Sequence, residues 1–90
     1  MQTLESFSAD TLARGYAAPV AVERDARYAL GEHSHPFDAC ALIVRGSIHL
    51  RVAGTETVYT AGQVFELPRE IPHTEWAGAA GVVYWAARRV

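Results

Sequence analysis

An all-β fold is what this sequence predicts, from alternating segments, one continuous apolar run and closely spaced turn signals. "VAVER" sets Val20 and Val22 against Ala21 and Glu23, and "SIHLRV" sets Ile48, Leu50 and Val52 against His49 and Arg51. Such period-2 alternation marks half-buried strands, because successive side chains of a strand leave by opposite faces. "ALIV" at 41–44 is the short apolar run expected of a strand covered on both sides. Turn signals recur at Arg45-Gly46, Ala53-Gly54-Thr55, Ala61-Gly62, Pro68 to Pro72 and Ala77-Gly78 to Gly81. Short strands so punctuated read as a small sandwich or barrel.

Taken in order, residues 1–18 form a lead-in with two readings. "FSADTLARGY" suits a short helix capped by Ser8 and ending near Gly15, or an extended segment. Residues 19–90 are expected to build the β-barrel, with "TETVYT", "QVFEL" and "VVYWAARR" supplying strands beyond those already quoted. No linker, low-complexity tract or internal repeat divides the chain, so 1–90 reads as one domain.

Ninety residues, half of them apolar, suffice for one core and argue against disorder. The formal charge of −2 offers no basic footprint for nucleic acid, and the basic side chains are arginines throughout. A lone cysteine, Cys40, precludes an internal disulfide and suits a reducing compartment. The opening "MQTLESFSADTLARGY" lacks the pattern of a signal peptide, and no stretch nears the roughly 20 apolar residues of a membrane span. The expectation is a cytoplasmic protein with no nucleic-acid or membrane partner.

The chemistry concentrates in "GEHSHPFDAC" at 31–40. His33 and His35 are two residues apart, so on a strand both imidazoles face one cavity. His73, in "LPREIPHTEW", is the natural third ligand from a distant strand. Three neutral imidazoles suit Zn, Fe, Ni or Cu, and an added carboxylate moves the preference towards Mn or Fe(II). Glu75 lies two residues after His73 and should share its face. An inward carboxylate in a small barrel is costly unless a metal or hydrogen bond satisfies it. The other reading of Glu75 is a solvated rim residue. Asp38 is a second acidic candidate if Pro36 resets the strand parity; otherwise it serves as a turn carboxylate on backbone N–H groups.

With these residues in place the chain resembles the cupins, over roughly residues 20–88. The first cupin motif places His-x-His ahead of a Glu and a Gly, matched here by His33, His35 and Gly46. The second runs Gly, five residues, Pro-x-Gly, two residues, His and a later Asn; Gly62, Pro68 and His73 stand at the matching positions. "HPFDA" and "PHTE" are similar to segments of small single-domain cupins in particular. The resemblance implies a jelly-roll (double-stranded β-helix) barrel and a divalent transition metal such as Fe, Zn, Mn or Ni. It also implies a homodimer, in keeping with the need of edge strands for cover. The departures are specific. The Glu slot falls on Ala39 or Cys40, the Gly of Pro-x-Gly is Glu70, the late Asn is Ala77, and the leading Gly is Arg27. The fourth ligand therefore stays open among Glu75, Asp38, Cys40 and water.

Elsewhere His49 should face away from Ile48 and Leu50. Phe37, Phe65, Trp76, Tyr84 and Trp85 are expected in core and pocket wall. Arg88 and Arg89 have opposite parity, so at most one points inward, where it could bind a substrate carboxylate. The functional expectation is a metal-dependent enzyme on a small organic substrate, of dioxygenase or isomerase/lyase type, with Glu75 or Asp38 as ligand or general base. The rival is a non-catalytic binding or sensor module for a small molecule or metal.

Overall fold

The computed structural model describes residues 2–90. One helix, α1 (Leu4–Ala13), precedes six strands: β1 (Val20–Arg24), β2 (Ala29–His33), β3 (Asp38–Val52), β4 (Thr55–Thr60), β5 (Val64–Leu67) and β6 (His73–Arg89). All pairings are antiparallel.

The two long strands organise everything else. β3 and β6 pair along most of their length, from Asp38↔Arg89 to Arg51↔Thr74. At one end β1 joins β6 and β5 joins β3, giving the order β1-β6-β3-β5. At the other end β2 joins β6 and β4 joins β3, giving β2-β6-β3-β4. Two four-stranded layers thus share the same pair of central strands. Register shifts between Ile43 and Arg45 and between Gly46 and Ile48 mark where β3 turns from one layer into the other. Gly46 has φ of +77°, and a Cβ there would stand 2.1 Å from the carbonyl oxygen of Gly81. Only glycine lets the two backbones cross so closely at that corner. The Arg45-Gly46 and Ala77–Gly81 signals, expected to separate strands, instead lie within β3 and β6. Glycine-rich bulges and turns use the same residues, and here the ladder continues through them.

Folding the layers face to face buries one core. Ala41, Ile43, Phe65, Leu67 and Tyr84 come from the first layer and Ile48, Leu50 and Ala77 from the second. Ile48 and Ile43 are almost wholly buried, each worth about 1.5–3 kcal/mol of transfer free energy. In "ALIV", Ala41, Leu42 and Ile43 are buried on both faces while Val44, at the corner, is exposed. This arrangement is the antiparallel jelly roll expected from the sequence.

The lead-in is helical from Leu4, not Ser8. Thr3 accepts from the backbone N–H of Ser6 and forms a capping box with it, so Ser8 falls inside the helix. At the other end Tyr16 N–H reaches Thr11 O and Gly15 N–H reaches Leu12 O, the two bonds of a Schellman stop, with Gly15 at φ +88°. Phe7 and Tyr16 then pack on the outer side of the first layer against Cys40, Leu42 and Ala87. Among the described residues no helix is long and apolar enough to cross a membrane.

Candidate metal centre

Two strand ends of the second layer meet at the mouth of the sandwich. His73 opens β6, pairs with His33 at the end of β2, and is followed on the same face by Glu75. β2 needs an irregularity to achieve this. Leu30 pairs with Glu75 and His33 with His73, so three residues of β2 span two of β6. That bulge lets Leu30 and His33, an odd number apart, both face the cavity, while Glu32 stays exposed. His35 lies just beyond the end of β2. The carbonyl of His35 accepts from the backbone N–H of Glu70 at 2.7 Å, which anchors it to the Pro68–Pro72 turn. Glu70 occupies the slot of the motif's glycine and keeps a positive φ of 66°.

The donor atoms of His33, His35, His73 and Glu75 all lie within 4.8 Å of one another. Ring centroids are 4.2 Å apart for His33–His73, 5.0 Å for His33–His35 and 5.1 Å for His35–His73. The imidazoles of His33 and His73 are oriented alike. Nδ1 of His33 lies 2.7 Å from the Gly31 carbonyl and Nδ1 of His73 3.0 Å from the Ile71 carbonyl. A carbonyl only accepts, so Nδ1 carries the proton in each ring, and in the neutral ring Nε2 presents a lone pair to the cluster. Those two Nε2 atoms are buried without a hydrogen-bond partner. Each instead faces Oε1 of Glu75, at 3.4 Å from His33 and 3.2 Å from His73. Lone pairs pointing at a carboxylate oxygen repel unless a cation stands between them. Metal bonds of about 2.0–2.2 Å set neighbouring donors roughly 3–4 Å apart, the separation found here.

The surroundings support the same arrangement. Tyr28 donates its hydroxyl to Oε2 of Glu75 at 2.7 Å, which fixes the carboxylate and leaves Oε1 towards the histidines. Burial and the hydrogen bond to Glu75 push the Tyr28 phenol well above its ordinary range, so it remains a donor. His35 stacks on Phe37 with centroids 4.9 Å apart, and burial together with the neighbouring His73 and His33 lowers its pKa, favouring the neutral ring. Adjoining the cluster is a cavity of about 210 Å³ whose wall is largely apolar, including Leu30, Ala41, Phe65, Leu67 and Tyr84.

Of the acidic candidates the structure brings in Glu75 and not Asp38. Asp38 pairs with Arg89 across β3–β6 and accepts from Arg89 Nη2 at 2.9 Å and from the Arg69 backbone N–H at 2.9 Å. Its strand parity is not reset by Pro36, and its carboxylate is taken by two guanidinium groups outside the histidine cluster. Asp38 thus stands in ion pairs with Arg69 and Arg89 and accepts a backbone N–H of the Pro68–Pro72 turn, as the alternative reading of its position has it. Cys40 also stands apart, buried beneath α1 with Phe7 and Leu42. Trp76 and Trp85 lie outside the main core: Trp76 stacks on His49, and Trp85 packs near the helix. Tyr28 was not legible in advance, since its acceptor lies 47 residues away and no local pattern announces it.

Fold and cluster together define a small jelly-roll protein with a three-histidine, one-carboxylate donor set at its mouth. The chain belongs to the cupin family: the family's cupin-domain sequence model matches residues 23–85. No curated protein matches the chain significantly in sequence. Among solved structures it is similar to an RmlC-like cupin from Shewanella frigidimarina, with 23% identity and a TM-score of 0.70 over 82% of this chain and 66% of that one. KdgF from Halomonas sp. gives 20% identity and a TM-score of 0.68, covering 81% of this chain and 69% of that one. A chain from the structures of the DMSP lyases RdDddP and RnDddQII gives 15% identity and a TM-score of 0.71, over 81% of this chain but 38% of that one. The chain thus spans between 38% and 69% of the length of these neighbours, and at such identities the likeness is one of fold.

Proposed function

We propose that this protein is a metal-dependent enzyme acting on a small organic substrate, with His33, His35, His73 and Glu75 as ligands of one divalent transition ion. The observation that carries this reading is the pair of buried Nε2 atoms, on His33 and His73, turned on a buried carboxylate with their Nδ1 protons committed elsewhere. Backbone carbonyls that fix the tautomer are the usual outer support of ligating histidines. Three nitrogens and one carboxylate suit Fe(II), Mn, Ni or Zn and leave coordination positions open. Such a metal supplies Lewis acidity to a substrate oxygen, or a binding site for O2 if it is iron.

The chain's own residues do the rest. Tyr28 holds Glu75 in its ligating orientation. The apolar part of the wall beside the cluster lowers the local polarity and so strengthens electrostatic interactions within the cavity. Substrates are of the size of a small acid, diol or thiol. The reaction belongs to the dioxygenase or the isomerase/lyase class according to the metal.

The test begins with metal content, measured by mass spectrometry on protein purified without an affinity tag. Near-stoichiometric metal is expected in the parent and loss of it in His33→Ala and His73→Ala, with both variants folded by circular dichroism. A parent that stays empty after incubation with Fe(II), Mn(II), Ni(II) and Zn(II) sinks the proposal. A loaded parent that binds small molecules but turns none over converts the enzyme into a binding module.

A further inference from the structure

Six of the eight arginines, Arg14, Arg27, Arg45, Arg51, Arg69 and Arg89, hold an acidic side chain at ion-pair distance. Among the described residues the exceptions are Arg24 and Arg88, and both line the cavity beside the histidine cluster. Each guanidinium is stacked on an aromatic ring tied to the cluster. Arg88 lies 4.5 Å from the centroid of Phe37, whose other partner is His35. Arg24 lies 5.1 Å from the centroid of Tyr28, whose hydroxyl holds Glu75. A guanidinium held over a ring keeps N–H groups at its edge for a planar anion; on Arg24 one of them, at Nη1, already reaches the Glu23 backbone carbonyl at 3.4 Å, and the others remain. Two guanidinium groups against the single carboxylate of Glu75 give the lining a positive balance, before any metal cation is added.

We propose that the cavity receives a small organic acid whose anionic groups are bound by the guanidinium groups of Arg24 and Arg88, one at each, while its remaining atoms face the histidine cluster. A cavity of about 210 Å³ fits such a molecule, being smaller than the roughly 300–1,000 Å³ typical of pockets for drug-sized ligands. The two arginines stand at separate points of the wall, Arg24 paired with the β6 strand at Val82 and Arg88 six residues further along it. Acids with an anionic group at each end therefore bind most tightly. This substrate class rests on the metal-centre reading for the reacting atoms of the molecule, and on the arginines alone for its anionic groups.

The experiment is calorimetric titration of tag-free protein with lactate, succinate and glutarate, and with succinamide as the uncharged counterpart. It is run on the parent, Arg24→Gln, Arg88→Gln and, as a control for net charge, Arg27→Gln, with metal content and melting temperature measured on every sample. The expected result is binding of at least one acid, weakened at least tenfold by both cavity substitutions. Arg27→Gln stays within twofold of the parent, metal content is the same throughout, and succinamide does not bind. The inference is overturned if no acid binds, if Arg24→Gln and Arg88→Gln both bind as the parent does, or if succinamide matches succinate. Failure of the metal-centre reading shows separately, as absence of metal in the parent, and the arginine dependence of acid binding still decides this inference.

Discussion

Glu70 holds φ of +66° in the turn between β5 and β6, a backbone conformation that disfavours a side chain with a Cβ. A left-handed residue other than glycine costs about 1–2 kcal/mol. Glycine at the same place relieves that cost but returns roughly 0.4–1 kcal/mol through the greater freedom of its unfolded chain. At the midpoints of these ranges the net gain for Glu70→Gly is therefore about 0.8 kcal/mol. The Glu70 side chain is exposed and enters no hydrogen bond or ion pair among the described residues, so nothing is subtracted for lost contacts. In a domain of this size a kilocalorie moves the melting temperature by roughly 4–8 °C, giving a rise of about 3–6 °C. Thermal denaturation by circular dichroism, on protein stripped of metal with chelator, measures it without a contribution from ligand binding. Glu70→Ala removes the same carboxylate but keeps the strained backbone, and should stay within about 0.5 kcal/mol of the parent. If Glu70→Gly is no more stable than Glu70→Ala, the strain argument is refuted and any shift belongs to the lost charge.

Tyr28→Phe removes the hydroxyl that holds Oε2 of Glu75 and should weaken metal binding about 10- to 100-fold while the fold persists; chelator competition reads this directly. Asp38 is held well below the usual carboxylate range by the backbone and side chain of Arg69 and by Arg89, so its charged form favours the folded state. Its contribution is complete above the ordinary value of 3.8 and fades as pH falls through and below it. Asp38→Asn should accordingly melt lower than the parent at pH 7, with the gap closing on acidification; a gap that is constant with pH would contradict the ion-pair account. Burial and the nearby Glu66 carboxylate push the Cys40 thiol up to about 11, leaving roughly one thiolate in a thousand at pH 8. Labelling by a thiol reagent should then be slow in the native protein and fast in urea, and rapid stoichiometric labelling without denaturant would be the wrong result.

The sequence made some of this legible because the relevant signals are local. Strands β1, β4 and β5 follow from alternation and from the turns that bound them, and the hairpin between β3 and β4 closes at Ala53-Gly54 as the turn signal implies. His73 and Glu75, two residues apart on β6, share a face by strand periodicity, whereas His33 closes β2 and His35 lies just beyond it, so their spacing brings them together without a common strand. What stayed hidden depends on distant partners. β2 carries no alternation of its own, and only its register against β6, with an extra residue accommodated, aims His33 inward. The strain at Glu70, the hold of Tyr28 on Glu75 and the capture of Asp38 by Arg69 and Arg89 are likewise contacts between segments that no spacing rule connects. The glycines of "VRGS" and "AGAAGV" signal an interruption, yet composition cannot say whether the chain reverses there or bends and continues.

β6 pairs with β1, β2 and β3, and it follows all of them in the chain. During synthesis, the five earlier strands therefore wait with open edges until the segment 73–89 leaves the ribosome. Half of the candidate metal-binding donor set, His73 and Glu75, arrives with that same segment. Neither layer can consolidate, nor any ion be captured by the full set, before this final stretch threads between strands already made. Folding of this small protein is then governed by long-range closure rather than by growth from its first strands. A nascent chain stalled before residue 73 should remain an unprotected substrate for proteases and chaperones, whatever metal surrounds it.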